Sequence, residues 1–224
     1  MSTVFCNFLP FFAFHAVFVI FPKIVPLFSN ILYNLLMSKI YFTRHGETFT
    51  NTKKLVCGAR EVALTENGHE QAINLGNEIK AKIERGEVKI DKIFYSPLSR
   101  AKNTALHISE ITGIPAEEEP LLIERNFGIY EDKNRETPEF RASLRTFAMS
   151  YGRDLGGESY MRTAQRIYNL LDKLTEETKR TGKTFLLVAH NGLSRVVNSY
   201  FYDMTNEEFG AFGITNCQLL EYEF

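Results

Sequence analysis

Cysteine and positive net charge are both scarce in this chain, and each shortage excludes a class of protein. The 224 residues include three cysteines, and no two of them form a CxxC pair. They cannot build a disulfide framework, which is typical of a reducing compartment and predicts a cytoplasmic location. The formal net charge is −1, so no basic excess is available to neutralise a nucleic-acid backbone. We therefore predict that nucleic acid is not a partner.

Charged residues and glycine are nearly absent from the first 38 positions. Lys23 is the one charged residue there, glycine does not occur, and eight of the nineteen phenylalanines lie in this stretch. From Lys39 onward the composition is that of an ordinary globular domain. The sequence thus predicts two parts, an apolar leader over residues 1–38 and a folded domain over residues 39–224.

The leader has three open interpretations. Residues 4–21 are apolar at fifteen of eighteen positions, which is close to the length that crosses a bilayer, so the leader could anchor the domain on the cytoplasmic side of a membrane. It could instead be a cleaved signal, although no basic residue precedes the apolar run. The favoured interpretation is that the native chain starts at Met37. Contact with a membrane is predicted only through residues 1–38, and residues 39–224 show no heptad pattern that would indicate an oligomer.

Strand-like and helix-like segments alternate from Lys39 onward. Extended apolar runs predict strands at 39–43, 92–95, 121–124, 184–189 and 218–222. Amphipathic periodicity and capping residues predict helices at 65–83, 97–113 and 137–151, from about 158 onward, and at 193–202. This alternation predicts an α/β fold of three αβα layers around a mostly parallel sheet. In the helix from 158, the apolar spacing predicts a buried face of Met161, Ala164, Ile167, Leu171 and Leu174.

Residues with complementary chemistry follow four of the predicted strands. Arg44 and His45 follow the first, Arg100 follows the second, Glu124 ends the third and His190 follows the fourth. The carboxyl ends of parallel strands share one edge of a sheet, so these side chains are expected to converge. Guanidinium groups bind phosphate, a neutral imidazole can attack phosphorus and a carboxyl group can protonate a leaving oxygen. Because the cations stabilise the transferred charge, no metal or other cofactor is predicted.

The motifs around these residues resemble those of the histidine phosphatase superfamily, also called the phosphoglycerate-mutase-like family. The resemblance covers essentially all of 39–224. It rests on Arg44-His45-Gly46-Glu47-Thr48, Leu64-Thr65-Glu66-Asn67-Gly68, Ser96-Pro97-Leu98-Ser99-Arg100-Ala101, Glu124 with Phe127-Gly128, Gly156-Gly157-Glu158-Ser159, and Ala189-His190-Asn191-Gly192.

The resemblance implies a role for each matching residue. His45 is implied as the nucleophile that forms a phosphohistidine, and Glu124 as the acid that protonates the leaving group and then activates water. Arg44, Arg100 and His190 are implied to hold the phosphoryl group. The implied substrate-binding set is completed by Asn51, Gly58, Asn191 and Gly192. The sequence departs from the family pattern where many members carry Glu-Gly, because Asp132 follows Glu131 here.

Four other residues have local interpretations. Glu47 is expected to cap or orient its neighbours, and Glu158 is explained by its place at a helix start. Cys57 is expected near the substrate entrance without a catalytic role. Arg125 is either a salt-bridge residue or a contact for the substrate at the rim of the site.

The favoured function is a metal-independent phosphomonoester hydrolase acting on a small phosphorylated metabolite. Glu124 and His190 are 66 positions apart, whereas the glycolytic mutases of the resembled family carry a longer, arginine-bearing insertion there. A cofactor-dependent phosphoglycerate mutase is the alternative, since the segment 130–155 still holds arginines, Arg135 among them. A catalytically silent module that binds phosphorylated ligands or proteins is the third possibility.

Overall fold

The computed structural model describes residues 38–142 and 156–224 of the chain. The predicted leader, apart from Ser38, therefore lies outside the described residues. The same is true of most of the helix predicted over 137–151, of which residues 138–142 are described and helical.

Five strands form one sheet, with the most apolar strand at its centre. They are β1 (Lys39–Arg44), β2 (Lys92–Tyr95), β3 (Ala116–Glu118), β4 (Phe185–Ala189) and β5 (Leu219–Glu223). Their order is β3-β2-β4-β1-β5. All pairs are parallel except that of β5 with β1, which is antiparallel. Every residue of β4 is buried, as expected for a strand with neighbours on both sides and helices above and below.

Besides the partly described helix at 138–142, the described residues form six helices. They are α1 (Phe49–Thr52), α2 (Glu66–Glu84), α3 (Ser99–Thr112), α4 (Tyr160–Thr181), α5 (Asn191–Phe201) and α6 (Asn206–Ala211). The Thr65 and Ser159 side chains cap α2 and α4, and Gly113 ends α3 with a φ of 75°, as glycine does at this position. Within the described residues, no helix combines the length and the apolar character needed to cross a membrane.

Alternation along the central strands divides the core between the two faces of the sheet. One apolar cluster joins β1 and β4 to α4 and α5, through Phe42, Leu187, Leu171 and Val196. The opposite cluster joins the same strands to α2 and α3, through Tyr41, Leu186, Ile79 and Ile108. These two clusters confirm the predicted α/β fold of three layers with a mostly parallel sheet.

The strand predicted at 121–124 is wrong. The third strand is β3, an edge strand that pairs with β2 alone. Pro120–Leu122 instead form a 3-10 turn, because proline favours the first position of a helical turn and the Glu119 carboxylate accepts a hydrogen bond from the N–H of Leu121. Glu124 therefore lies in an irregular segment after this turn, and not at a strand end.

The buried face predicted for α4 is partly wrong. Met161 is 61% exposed, whereas Leu171 is fully buried. The face that packs on the sheet is centred on Ile167, Leu170, Leu171 and Leu174. In the first turn the buried position is Thr163, and Tyr160 packs against the core, so Met161 lies to one side of the buried face.

A pair of matched truncations tests this assignment. Leu171→Ala is expected to lower the free energy of unfolding by about 3 kcal/mol, because it removes buried methyl groups and leaves a cavity. Met161→Ala is expected to change it by less than about 0.5 kcal/mol, because the side chain is exposed. Urea denaturation followed by circular dichroism measures both. Equal losses for the two variants would contradict the packing of α4 on the sheet.

Candidate functional site

The end of β1 delivers Arg44 and His45 to the carboxyl edge of the sheet. The N–H of His45 donates to the carbonyl of Ala189 at 3.0 Å, which extends the β1–β4 pairing by one step. The next residue must be glycine, because a Cβ on Gly46 would lie 2.2 Å from the carbonyl oxygen of Gly68. The N–H of Gly46 also donates to Thr104 Oγ1 at 3.0 Å. The loop after His45 is thus fixed by α2 on one side and by α3 on the other.

The His45 ring is held in one tautomer. Its Nδ1 lies 2.7 Å from the carbonyl oxygen of Gly46, and a carbonyl can only accept, so Nδ1 carries the proton and Nε2 keeps a lone pair. The ring is 5% exposed. Burial, together with the nearby charges of Arg100 and Arg44, lowers the pKa of His45 well below 6.5. His45 is therefore a neutral imidazole, which is the form that acts as a nucleophile.

A second buried imidazole lies against the first. His190 stands at the start of α5, and its ring centroid is 5.2 Å from that of His45. Its Nε2 lies 2.7 Å from Ser96 Oγ, while Nδ1 has no hydrogen-bond partner among the described residues. Burial, followed by the charges of Arg100 and His45, lowers the pKa of His190 well below 6.5. If the Ser96 hydroxyl donates to Nε2, the Nδ1 proton is available to an anionic ligand.

Two arginines bring positive charge to this pair of imidazoles. Arg44 donates from Nη1 to the carbonyl of Ile214 at 3.0 Å, and burial, with the repulsion of other arginines, lowers its pKa to about 10. Arg100 is 1% exposed and donates from its two Nη atoms to the carbonyls of Arg60 and Gly58, each at 2.7 Å. Its Nε has no partner among the described residues. Gly58 therefore holds Arg100, and it is not among the described residues that line the neighbouring cavity.

Glu124 is held by two backbone N–H groups. Its Oε1 accepts from the N–H of Arg125 at 2.8 Å, and its Oε2 accepts from the N–H of Gly192 at 2.9 Å. A Cβ on Gly192 would lie 2.5 Å from Oε1, so this close approach of the carboxylate to α5 requires glycine. The side chain is 5% exposed, and the two bonds leave one lone pair on each oxygen for other partners.

These residues meet at one cavity of about 190 Å³, which is open to solvent. Six predicted site residues line it: Arg44, His45, Asn51, Glu124, Asn191 and Gly192. Arg100 and His190 are buried directly behind it, next to His45. The rest of the lining consists of Leu55, Val56, Cys57, Phe127, Arg135, Phe140, Tyr160 and Arg195.

Several of these lining residues could not be found from the sequence. Tyr160 and Arg195 lie just outside the motifs at 156–159 and 189–192, and Phe140 is far from every motif. Ser96 stands inside a motif, yet nothing in the sequence indicated that it contacts His190. Each of these residues reaches the site through a contact between segments that are distant in the sequence.

The residues with local interpretations are also placed. Glu47 accepts a hydrogen bond from Thr65 Oγ1 at 2.9 Å, at the start of α2. Glu158 forms a two-point ion pair with Arg166 at 2.9 and 3.0 Å. Arg125 is buried, with its guanidinium 3.7 Å from the ring centre of Tyr160, so it supports the cavity wall and does not line it. Cys57 lines the cavity, and burial raises the pKa of its thiol.

The departure from the family pattern has a local explanation. Asp132 has a φ of 62°, in the left-handed region that favours glycine but that aspartate tolerates, and it forms an ion pair with Arg60. The preceding Glu131 accepts hydrogen bonds from the N–H groups of Gly58 and Phe127, both at 2.9 Å. The turn therefore joins the two loops that flank Arg100 and Glu124.

The described part of the chain shows no set of side chains arranged to bind a metal ion. No group of three or more His, Cys, Asp or Glu side chains within it is arranged to hold an ion. At the cavity itself, arginine charges surround the two imidazoles and would repel a cation.

Comparison with known proteins identifies similar sequences and folds. The sequence model of the histidine phosphatase superfamily, branch 1, matches residues 40–224. The 2,3-bisphosphoglycerate-dependent phosphoglycerate mutase of Chelativorans sp. (strain BNC1) is 34% identical over 180 residues, which cover 75% of this chain and 84% of the relative.

Two solved structures share the fold. The mycobacterial glucosyl-3-phosphoglycerate phosphatase superposes with a TM-score of 0.67 at 23% identity, and the match covers 83% of this chain and 89% of that one. The phosphoglycerate mutase from Bacillus anthracis (Sterne) superposes with a TM-score of 0.67 at 24% identity, covering 84% of this chain and 88% of that one.

The protonation of His45 can be tested directly by NMR. In the folded protein, the His45 ring signal is expected to stay at its neutral position from about pH 7.5 to about pH 5.5, because burial and the arginines oppose protonation. The signal is assigned from its loss in His45→Gln. The same protein in concentrated urea, in which the ring titrates near its ordinary pKa, is the control.

This titration also fixes the sign of a stability effect. Just below pH 6.5, the unfolded chain binds protons at His45 and His190 that the folded chain does not. The two groups therefore contribute stability that is complete above pH 6.5 and is lost as the pH falls below it. A midpoint near 6.5 for His45 in the folded protein would contradict both the neutral ring and this loss of stability.

Proposed function

The chain belongs to the histidine phosphatase superfamily, branch 1, and from this premise we propose that it is a metal-independent phosphomonoester hydrolase acting through a phosphohistidine. One observation carries the proposal. His45 is neutral, its Nδ1 proton is held on the Gly46 carbonyl, and it lines a cavity together with Arg44 and Glu124. This arrangement brings together a nucleophile, the fixed positive charge of the Arg44 guanidinium and a proton donor.

In the first step, the lone pair on His45 Nε2 forms a bond to phosphorus, and the bond from phosphorus to the ester oxygen breaks. Arg44 and the Nδ1 proton of His190 balance the charge on the equatorial oxygens. Arg100 contributes positive charge from behind the two imidazoles. Glu124 donates a proton to the departing oxygen, which leaves as an alcohol.

In the second step, Glu124 accepts a proton from a water molecule. The water oxygen forms a bond to phosphorus while the bond from phosphorus to Nε2 breaks, so inorganic phosphate leaves and His45 is neutral again. The same carboxyl group serves as acid and then as base, which requires that it reach both the leaving oxygen and the water. Each oxygen of the Glu124 carboxylate accepts one backbone N–H, from Arg125 or from Gly192, and keeps a second lone pair. These remaining lone pairs support the double role.

The cavity supports a small substrate with a second negative charge. Arg44, Arg135 and Arg195 line it and Arg100 lies behind it, while Glu124 is the one acidic residue among the described lining residues. A phosphomonoester dianion would leave part of this positive charge unbalanced, so a substrate that also carries a carboxylate or a second phosphate is favoured. Leu55, Phe127 and Tyr160 also line the cavity, and their apolar surface can contact the carbon part of the leaving group.

A cytoplasmic location remains part of this proposal. It is supported by two cysteines of the described domain, Cys57 and Cys217, which are both free thiols. No nucleic-acid partner is proposed, because the net charge of −1 leaves no basic excess to neutralise a nucleic-acid backbone.

Phosphoglycerate mutase activity is the second candidate, and the 34% identical relative with that name favours it. The same residues would then return the phosphoryl group from His45 to a phosphoglycerate and not to water.

Full-length protein in EDTA is incubated with p-nitrophenyl phosphate, with 3-phosphoglycerate, and with 3-phosphoglycerate plus 2,3-bisphosphoglycerate. Phosphate release is expected. Fast isomerisation with little release would overturn the proposal in favour of the mutase, and no turnover in any mixture would favour a binding module.

Removal of the nucleophile gives the sharpest test of the covalent route. His45→Ala is expected to lower kcat by at least about 10⁴-fold, and to abolish an acid-labile phosphoenzyme that is trapped by rapid quench with ³²P-labelled substrate. His69→Ala, which changes a histidine outside the cavity, is the matched control and should keep both. Retention of most activity in His45→Ala would exclude a covalent route through this imidazole.

The acid role of Glu124 predicts a dependence on the leaving group. Glu124→Gln keeps the shape of the side chain but cannot donate an acidic proton. Its kcat is expected to fall about 10²- to 10³-fold for an alkyl phosphate. The loss should be much smaller for p-nitrophenyl phosphate, because nitrophenolate leaves without protonation. Steady-state kinetics on the two esters measure the difference, and equal losses would rule out the acid role.

A further inference from the structure

One loop between α6 and β5 contacts four of the residues that line the cavity. Residues 213–217 are far from those residues in the sequence, and none of the motifs includes them. Within the loop, the Ile214 carbonyl accepts from Arg44 Nη1 at 3.0 Å, and the N–H of Ile214 donates to Asn191 Oδ1 at 2.8 Å. The N–H of Cys217 donates to the carbonyl of Arg44 at 2.9 Å.

Asn216 makes the two contacts of this loop that lie nearest the chemistry. Its Nδ2 donates to the carbonyl of His45 at 2.8 Å and to Asn51 Oδ1 at 3.3 Å. The His45 backbone is thereby held at both ends, since its N–H is already bonded to the carbonyl of Ala189. Asn216 is half-buried and is not among the described residues that line the cavity.

The second contact determines which end of the Asn51 amide faces the cavity. Asn51 Oδ1 accepts from Asn216 Nδ2 and also from the N–H of Thr48 at 3.1 Å. Both lone pairs of that oxygen are thus used. The amide nitrogen is then the end of Asn51 that serves a ligand in the cavity, and it offers hydrogen-bond donors, as an anionic phosphoryl group requires.

We infer that Asn216 is a positioning residue for phosphoryl transfer: it holds the backbone of His45 and orients the Asn51 amide so that its nitrogen donates to the phosphoryl group. This inference rests on the proposed function. It assigns to the C-terminal loop a part in the site that no sequence motif indicates. Asn216 itself does not touch the phosphoryl group, so its effect is transmitted through Asn51 and His45.

Binding of inorganic phosphate to the full-length protein tests the inference without requiring turnover. Isothermal titration gives the Kd for wild type, Asn216→Ala, Asn51→Ala and the double variant. Asn216→Ala is expected to weaken binding about tenfold, the size expected for one hydrogen bond to a charged group. In the Asn51→Ala background, the same change should weaken binding by less than about twofold, because the group that Asn216 orients is already missing.

Gln218→Ala is the matched control in the same loop. Gln218 Oε1 accepts from the N–H and the hydroxyl of Thr215, at 3.0 and 3.2 Å, so it stabilises the loop without contacting a cavity residue. This variant is expected to lower Tm and to leave the Kd for phosphate within about twofold of wild type. A loss of binding equal to that of Asn216→Ala would show that general loosening of the loop is responsible, and would overturn the inference.

Asn216→Asp is a second variant of nearly the same size, in case the alanine variant does not fold. A carboxylate cannot donate to the His45 carbonyl or to Asn51 Oδ1, so binding should weaken at least as much as in Asn216→Ala. If wild type turns over a phosphomonoester, the fold-decrease in kcat of both Asn216 variants should exceed the fold-increase in KM. The reason is that loss of Asn216 also displaces the His45 nucleophile.

Three results would overturn the inference. The first is unchanged phosphate binding in both Asn216 variants. The second is a double variant whose fold-loss in binding equals the product of the fold-losses of Asn216→Ala and Asn51→Ala. The third is the absence of phosphate binding by wild type. Failure of the proposed function has a different signature. In that case wild type binds phosphate, and the variants show the coupled losses, but no phosphomonoester is turned over.

Discussion

The parallel pairing of β1 with β4 is the constraint on which the site depends. The two strands lie at the centre of the sheet and are buried on both faces, so their register is fixed by the core on either side. Because the register places Arg44 opposite Ala189, the next residues of the two strands are His45 and His190. Two imidazoles that are 145 positions apart in the sequence therefore meet with ring centres 5.2 Å apart. A shift of one residue in this pairing would move the side chains of the shifted strand to the opposite face of the sheet and would separate the two imidazoles.

Burial of the charged Arg44 and Arg100 side chains is unfavourable to folding, because each guanidinium loses its hydration. Hydrogen bonds to backbone carbonyls replace part of that hydration. Arg100 is bonded to two carbonyls of the loop at 58–60, and Arg44 is bonded to one carbonyl of the loop at 213–217. Carbonyls stabilise a guanidinium without neutralising it, so the positive charge stays available to an anion. An acidic partner in their place would neutralise the guanidinium and lower the affinity of the site for phosphate. Burial, together with the positive charges of the neighbouring arginines, lowers the pKa of Arg44 and of both histidines.

The sequence predicts well those features that depend on neighbouring residues. The Thr65 cap, the glycine stop at Gly113 and the apolar run of β4 are local signals, and the structure confirms each of them. Convergence of the polar residues follows from a general property of parallel sheets. It places Arg44, His45 and Glu124 at one cavity even though the third strand was assigned to the wrong residues. Their chemical roles stay predictions until they are measured.

The features that the sequence does not predict depend on distant contacts. Edge strand β3 has three residues, of which only Ala116 is apolar, so no periodic signal marks it. Met161 has an apolar spacing to Ala164, yet the buried face of α4 runs through Thr163, Ile167 and Leu170, and Met161 lies beside it. Ser96, Tyr160 and Asn216 join the site through tertiary contacts alone, and polar residues of these types are common on any surface. Spacing and composition carry no information about such contacts.

The position of β5 also has a consequence for the timing of biosynthesis. This strand pairs with β1, although the two are about 175 positions apart, and the loop that leads into it holds Arg44, Asn51 and Asn191. During translation, the segment with both histidines leaves the ribosome before residues 213–223 do. The contacts that hold Arg44, Asn51 and Asn191 can therefore form only after residues 213–217 have been synthesised, so the surroundings of the two histidines are completed later than the strands that carry them.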